Sequence, residues 1–149
     1  MDVTVHIQRL ANFPADFELP SYATAGAAAV DLRNAGPDVV VEPMQRLLIP
    51  TGLAIALPHG FEAQVRPRSG LSLKRGIGLV NSPGTIDSDY RGELLLPVIN
   101  FDREPQRIEH GERVAQMVIA PVSRVEWREV DALPETERAA GGFGSTGSR

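Results

Sequence analysis

The 149-residue chain contains no cysteine. That excludes a disulfide scaffold, a thiol nucleophile and a Cys-ligated zinc, although it does not assign a compartment. Long hydrophobic runs are absent too. The longest, such as residues 94–99, falls far short of the roughly 20 residues a membrane helix needs. Residues 1–10 alternate polar and apolar side chains and do not read as a secretory signal. A cytoplasmic protein with no membrane partner is therefore the default expectation. A basic excess is also missing: 15 Lys and Arg face 19 Asp and Glu, for a net charge of −4. This balance counts against a general nucleic-acid binder. Lysine itself is almost absent, since Lys74 stands alone beside 14 arginines. A preference for guanidinium suits phosphate handling; the codon usage of a GC-rich genome produces the same bias, and composition alone does not separate the two.

What is present is ordinary for a globular protein: 42% hydrophobic and 23% charged residues. The length suits one domain, able to bury roughly 70% of the surface that its unfolded form exposes. Fourteen glycines and 12 prolines favour short strands joined by turns over a helical bundle. The dominant hydrophobic period is two. Val3, Val5 and Ile7 alternate with Thr4, His6 and Gln8, the pattern of a half-buried strand. Further strand-like runs cover residues 39–41, 46–49, 52–57, 61–66, 94–100, 113–120 and 122–130. Gly, Pro, Asn and Asp clusters separate them at 34–38, 58–60, 81–84 and 101–105. Only residues 71–75 look helical. The spacing predicts an all-β antiparallel sandwich or jelly-roll-like barrel over residues 1–137. Residues 138–149, RAAGGFGSTGSR, hold too little apolar surface to fold alone and are predicted to form a flexible arm. A frayed terminus would look similar, but Phe143 amid glycines is costly to leave in water without a use.

Several familiar signatures fail on context. The stretch from Gly142 to Gly147 fits G-x-G-x-x-G literally, yet it follows no strand and opens no helix. No Gly-Lys-Ser/Thr occurs, and no serine lies in a G-x-S-x-G elbow. His6, His59 and His110 are isolated, without metal-ligand spacing. Four polar clusters remain. In Arg66-Pro67-Arg68-Ser69-Gly70, proline interrupts regular pairing, and a guanidinium and a hydroxyl stand beside exposed N–H groups, a plausible oxyanion cradle or an Arg-capped turn. In residues 81–92, Pro83-Gly84 suits the turn of a hairpin with residues 76–80 on one side. Its Asn81, Asp87, Asp89 and Tyr90 could read a base edge, pack a sugar and act as general base, or form an acidic exposed turn. Gln116 shares a face with Val114 and Val118 by alternation and needs a partner, at a cost of roughly 1–3 kcal/mol if it has none. Asp31 follows a run of small residues, where a carboxylate could hold a metal-bound water or cap a turn.

Taken in order, these segments resemble a known family. Ala29-Val30-Asp31-Leu32, Pro67-Arg68-Ser69-Gly70-Leu71, Gly84-Thr85-Ile86-Asp87-Ser88-Asp89-Tyr90-Arg91-Gly92, Gly111-Glu112-Arg113-Val114-Ala115-Gln116 and the Gly141–Gly147 stretch look like the five motifs of the trimeric deoxyuridine triphosphate nucleotidohydrolases, the dUTPases. The resemblance spans residues 22–147. Each motif alone is weak; five in order are specific. The resemblance implies a jelly-roll-like subunit in a homotrimer with active sites at the subunit interfaces. It also implies Mg²⁺-dependent hydrolysis of dUTP to dUMP and pyrophosphate, limiting uracil in DNA and supplying dUMP for thymidylate synthesis. By motif matching, Asp87 would be the general base orienting a water for in-line attack on the α-phosphorus. Tyr90 would pack on the deoxyribose and exclude a 2′-hydroxyl. Asn81 and neighbouring backbone groups, with Thr85 alongside, would hold the uracil end. Arg68, Ser69, Gly70 and Gln116 would hold the phosphates, and Asp31 would contact Mg²⁺ through water. From the arm, Arg138 would reach the γ-phosphate, Phe143 would lie over the uracil ring, and Gly144, Ser145 and Thr146 would complete the nucleotide contacts.

Two positions depart from the pattern. Ala139 follows Arg138 where the family usually has glycine, and Ala29 stands where glycine usually lies two residues before Asp31. Neither removes a reacting group. The physics agrees with the resemblance: a triphosphate brings about four negative charges to a chain already negative, and each close opposite pair is worth about 4 kcal/mol at an effective dielectric of 20. Arg68, Arg138 and a metal would supply that charge locally. Phosphoryl chemistry needs positioning more than covalent help, which suits a chain without a nucleophilic Cys or His. The alternatives are a dCTP deaminase or a bifunctional deaminase/dUTPase of the same fold and, from another class, a catalytically silent jelly-roll binding module. The Asp87–Tyr90 segment and the glycine-rich arm favour the hydrolase.

Overall fold

A computed structural model describes residues 3–136 and 139–141. Eleven strands and one short helix follow in the order β1 (His6–Arg9), β2 (Val30–Arg33), β3 (Val39–Val41), β4 (Arg46–Pro50), β5 (Leu53–Ala56), β6 (Phe61–Pro67), α1 (Ser69–Arg75), β7 (Ile77–Leu79), β8 (Gly84–Ile86), β9 (Leu95–Asn100), β10 (Gln106–Ile108) and β11 (Arg113–Pro121). The all-β expectation holds. A four-stranded sheet in the order β2-β11-β6-β8 and a three-stranded sheet β4-β9-β7 are accompanied by the two-stranded ribbons β1-β5 and β10-β3, and every ladder is antiparallel.

The inner faces share one core. Leu32, Ala63, Val65, Ala115 and Met117 of the larger sheet pack with Ile49, Ile77, Leu79, Leu96 and Val98 of the smaller one. Period-two alternation produces these faces, and burial of apolar surface drives their association. Two buried asparagines tie turns to this core. Asn100 donates from Nδ2 to the carbonyls of Val41 and Glu104, both at 2.9 Å, and accepts from the Asp102 N–H at 2.8 Å. Asn34 does the same for Pro37 and Glu109, and accepts from Gly36.

Helix α1 follows Arg68, whose extended backbone (φ −91°, ψ 128°) marks the break from β6. It ends at Gly76, in the left-handed region at φ 60°, with the Gly76 N–H bonded to the Leu71 carbonyl. Glycine is needed there twice over, because a Cβ would also come within 2.7 Å of the Asp102 nitrogen.

Four sequence expectations fail. Residues 122–130 alternate like a strand but join no ladder among the described residues; only the Val122 N–H reaches back, to the Gly60 carbonyl at 2.9 Å, and the whole stretch is exposed, with Trp127 89% exposed. A ladder needs a partner as well as a pattern. The 76–90 region is not a hairpin. β7 pairs with β9 in the smaller sheet, whereas β8 pairs with β6 in the larger, so residues 80–83 cross from one sheet to the other. Burial of Ile77 and Leu79 in one layer and Gly84 in the other outweighs local turn pairing. β1 is exposed along its length, because a two-stranded ribbon leaves it no covering layer, and Val5 alone of its alternating set reaches the core. Finally, a bulge between Arg113 and Ala115 shifts the phase of β11. Val114 is buried with Ala115, so it does not share the face of Gln116 and Val118.

Candidate active site

The larger sheet assembles the first group of polar residues. Gln116 on β11 lies opposite Asp31 on β2 and opposite Arg66 on β6. One cross-strand row therefore runs from Asp31 to the segment that leads into α1. Past Pro67 the chain turns, and Arg68 reaches back across the sheet. Its Nε lies 2.8 Å from Asp31 Oδ1, and its Nη1 donates to the Arg113 carbonyl at 3.1 Å. Arg113 itself donates from Nη1 to Asp31 Oδ2 at 3.2 Å. Asp31 is thus held between two guanidinium groups, both partly exposed. Gln116, the polar residue in need of a partner, donates from Nε2 to the Pro67 carbonyl at 2.8 Å and so fixes the mouth of the turn.

Ser69 and Gly70 open α1 and are exposed. Backbone N–H groups in a first helical turn have no intrahelical acceptor. A Cβ added at Gly70 would meet nothing within 4 Å, so packing within the chain does not explain the glycine. A cavity of about 430 Å³ lies next to this cluster, lined among others by Asp31, Arg33, Arg113, Phe13, Phe17 and Glu18.

The second group gathers after β8. Thr85, Asp87 and Tyr90 line a cavity of about 180 Å³ with Ile86, Glu93 and Leu95. Asp87 is exposed, and its carbonyl accepts the Tyr90 N–H at 3.1 Å, folding the loop back. Tyr90 is 42% exposed, and its hydroxyl donates to the Glu93 carbonyl at 3.0 Å. Arg91 donates from Nη1 to the carbonyls of Ser88 and Tyr90, which closes the loop. Asn81 is exposed at the crossover and lies against Gly84, where a Cβ would come within 3.1 Å of its Nδ2.

Within one subunit, the structure therefore unites Asp31, Arg68 and Gln116 in one cluster and Thr85, Asp87 and Tyr90 in another. The two cavities share no lining residue. Arg138, Phe143, Gly144, Ser145 and Thr146 lie outside the described residues. Ala139, just after Arg138, takes φ 44°, a left-handed conformation that glycine adopts freely and alanine at a cost of roughly 1 kcal/mol. Sequence reasoning gave no role to Arg113, although it lies inside a quoted motif, or to Glu93, one residue beyond another.

No group of three or more His, Asp or Glu side chains suited to a metal occurs among the described residues. A dedicated protein cage is not what Mg²⁺ requires, however. It keeps much of its water and binds through one or two carboxylates plus substrate phosphates. A single carboxylate, Asp31, beside Arg68 and Ser69 fits that chemistry.

Comparison with known proteins gives one answer. A dUTPase family model matches residues 15–147. A deoxyuridine 5'-triphosphate nucleotidohydrolase of Wolbachia sp. subsp. Brugia malayi (strain TRS) is 53% identical over 148 residues, covering 97% of this chain and 94% of the relative. Among solved structures, a mutant dUTPase of Staphylococcus bacteriophage 80alpha, described with dUpNHpp, is 28% identical with a TM-score of 0.83, covering 97% of this chain and 98% of that one. A dUTPase from phage phi11 of S. aureus, described with a structural Mg(II) ion, shares the fold at 23% identity with a TM-score of 0.77, covering 89% of this chain and 99% of that one. These matches do not favour the deaminase alternative. With the family match running over most of its length, the chain belongs to the dUTPase family.

Proposed function

We propose that this protein hydrolyses dUTP to dUMP and pyrophosphate, as a homotrimer whose active sites form between subunits. The observation that carries the reading is the small cavity shared by Asp87, Tyr90 and Thr85. It sets a free carboxylate beside an aromatic ring, on the motif that the family uses for the nucleoside.

Asp87 acts as general base, taking a proton from a water as that water attacks the α-phosphorus in line. The bond from the α-phosphorus to its bridging oxygen breaks, and pyrophosphate leaves. Tyr90 lies along the deoxyribose and excludes a 2′-hydroxyl, while Asn81 and the crossover backbone take the uracil edge. Arg68, Ser69, Gly70 and Gln116 hold the phosphates. The guanidinium of Arg68, which rests on Asp31, turns to the incoming phosphate. Asp31 would hold Mg²⁺ through water, and the bound cation would neutralise charge on the phosphates. The arm, residues 138–149, closes over the nucleotide, with Arg138 on the γ-phosphate, Phe143 on the uracil and Gly144, Ser145 and Thr146 alongside. Closure excludes bulk water from the reaction.

Two features support an interfacial site. The cavity beside Asp31 and Arg113 shares no lining residue with that of Asp87 and Tyr90, and the stretch after β11 leaves Trp127 open to solvent. Such an arrangement is completed by a neighbouring copy. The reaction limits uracil in DNA and supplies dUMP, and no nucleic-acid or membrane partner is needed; a cytoplasmic location fits it. The test is turnover of dUTP, dCTP, dTTP and UTP side by side with Mg²⁺, reading pyrophosphate and ammonia. Pyrophosphate from dUTP alone is expected. Ammonia from dCTP points to the deaminase, and no pyrophosphate from dUTP to a silent module.

A further inference from the structure

Glu93 directly follows the nucleoside motif and lies outside the groups that reach the nucleotide. It lines the cavity of Asp87 and Tyr90, and its carboxylate is bonded to residues that do not line it. Oε1 accepts two hydrogen bonds, from the main-chain N–H of Gly52 at 2.7 Å and from Asn12 Nδ2 at 2.9 Å. Bonds to an ionised acceptor are among the stronger ones. Gly52 sits in the turn between β4 and β5, and its carbonyl in turn accepts the Leu10 N–H at 2.8 Å. The next residue is fixed as well: the Leu94 N–H donates to the Leu53 carbonyl at 2.8 Å, and the buried Thr51 hydroxyl donates to the Leu94 carbonyl at 2.7 Å.

On its other side, Glu93 holds Tyr90. The tyrosine hydroxyl donates to the Glu93 carbonyl at 3.0 Å. Gly92 makes the approach possible, since a Cβ there would come within 2.3 Å of the hydroxyl oxygen. The Tyr90 ring is nearly half exposed. Its place is set by the residue it bonds to, and that residue is set by Gly52 and Asn12.

We propose that Glu93 is a positioning residue for sugar selection: its carboxylate anchors the 87–93 loop to the β4–β5 turn and so holds the Tyr90 ring in one place against the deoxyribose. The inference rests on the dUTP reading above. It concerns discrimination between dUTP and UTP, which is sensitive to small displacements of a ring that must leave no room for one oxygen atom.

The test compares kcat and KM for dUTP and UTP in the full-length wild type, Glu93→Ala and Glu93→Gln, together with thermal midpoints. Glu93→Ala, which removes both hydrogen bonds of the carboxylate, is expected to narrow the dUTP-over-UTP preference about tenfold, the scale of a lost hydrogen bond to a charged group, and to act on the KM for dUTP more than on kcat. Glu93→Gln keeps an acceptor oxygen for Gly52 and Asn12 and is expected to restore most of the preference. A role confined to stability would lower the thermal midpoint and leave the preference untouched; that result in folded Glu93→Ala overturns the proposal. If Glu93→Ala does not fold, the double variant Asn12→Ala/Tyr90→Phe cuts the tether at its two exposed ends, and wild-type preference there overturns the proposal equally. A wild type that fails to hydrolyse dUTP would instead overturn the functional reading itself.

Discussion

Asp87 stands exposed at the rim of the nucleoside cavity, with its side chain free of ion pairs among the described residues. A carboxylate so placed is open to an attacking water, whereas both oxygens of Asp31 are already held, by Arg68 and Arg113. Asp87→Asn is expected to lower kcat by roughly 10²–10⁴-fold, the range for a lost general base, with little change in dUTP affinity. Steady-state pyrophosphate release together with binding of a non-hydrolysable analogue measures both; a near-normal kcat would assign the base elsewhere. The reacting residue types and their order were legible in the sequence because each motif is contiguous. The contacts among motifs were not. Asp31 meets Arg68 and Arg113 only after β2, β6 and β11 are brought side by side, and Glu93 meets Asn12 and Gly52 from 81 and 41 residues away. No local pattern announces such pairs.

Among the elements, strands with clear alternation and several apolar residues declared themselves: β3 to β6, β9 and β11 fall close to their expected runs. The short strands β2 and β10 were hidden, while β7 and β8 were expected only as the sides of a hairpin. The crossover between β7 and β8 was misread as a hairpin because turn residues specify a reversal but not the layer each strand joins. Asn100 is a test of how the β9 end is held. Asn100→Leu leaves the Val41 and Glu104 carbonyls and the Asp102 N–H unpaired, and is expected to destabilise the subunit by at least about 2 kcal/mol. A urea midpoint unchanged from wild type would contradict this. The β3–β10 ribbon carries a pH-dependent contact of its own. The His110 main-chain N–H and the Arg107 guanidinium hold the Asp38 carboxyl below the usual carboxylate range. A lowered carboxyl value stabilises the fold above the ordinary pKa of about 4, and that contribution is lost as pH falls through the folded value. Unfolding midpoints of wild type and Asp38→Asn should therefore differ at neutral pH and converge in acid; a gap that persists in acid would assign the stabilisation to another cause.

At the scale of the whole molecule, the stretch after β11 is where strand periodicity and observed structure part. Alternation expresses what a segment can pair with, and the pairing edge need not be in the same chain. Trimer formation is expected to bury Trp127. Its emission should then be blue-shifted in the assembled protein and move to the red on dilution below the association range, in step with the mass measured by sedimentation. Trp127→Ala should weaken association and leave the far-ultraviolet spectrum of the subunit unchanged. Red emission from a stable trimer would mean that the indole stays in water. Because the chain has one tryptophan, no second indole blurs the signal. With Trp127 buried on assembly, the protein would carry a built-in, label-free optical gauge of its own quaternary state, readable in the cuvette where turnover is followed.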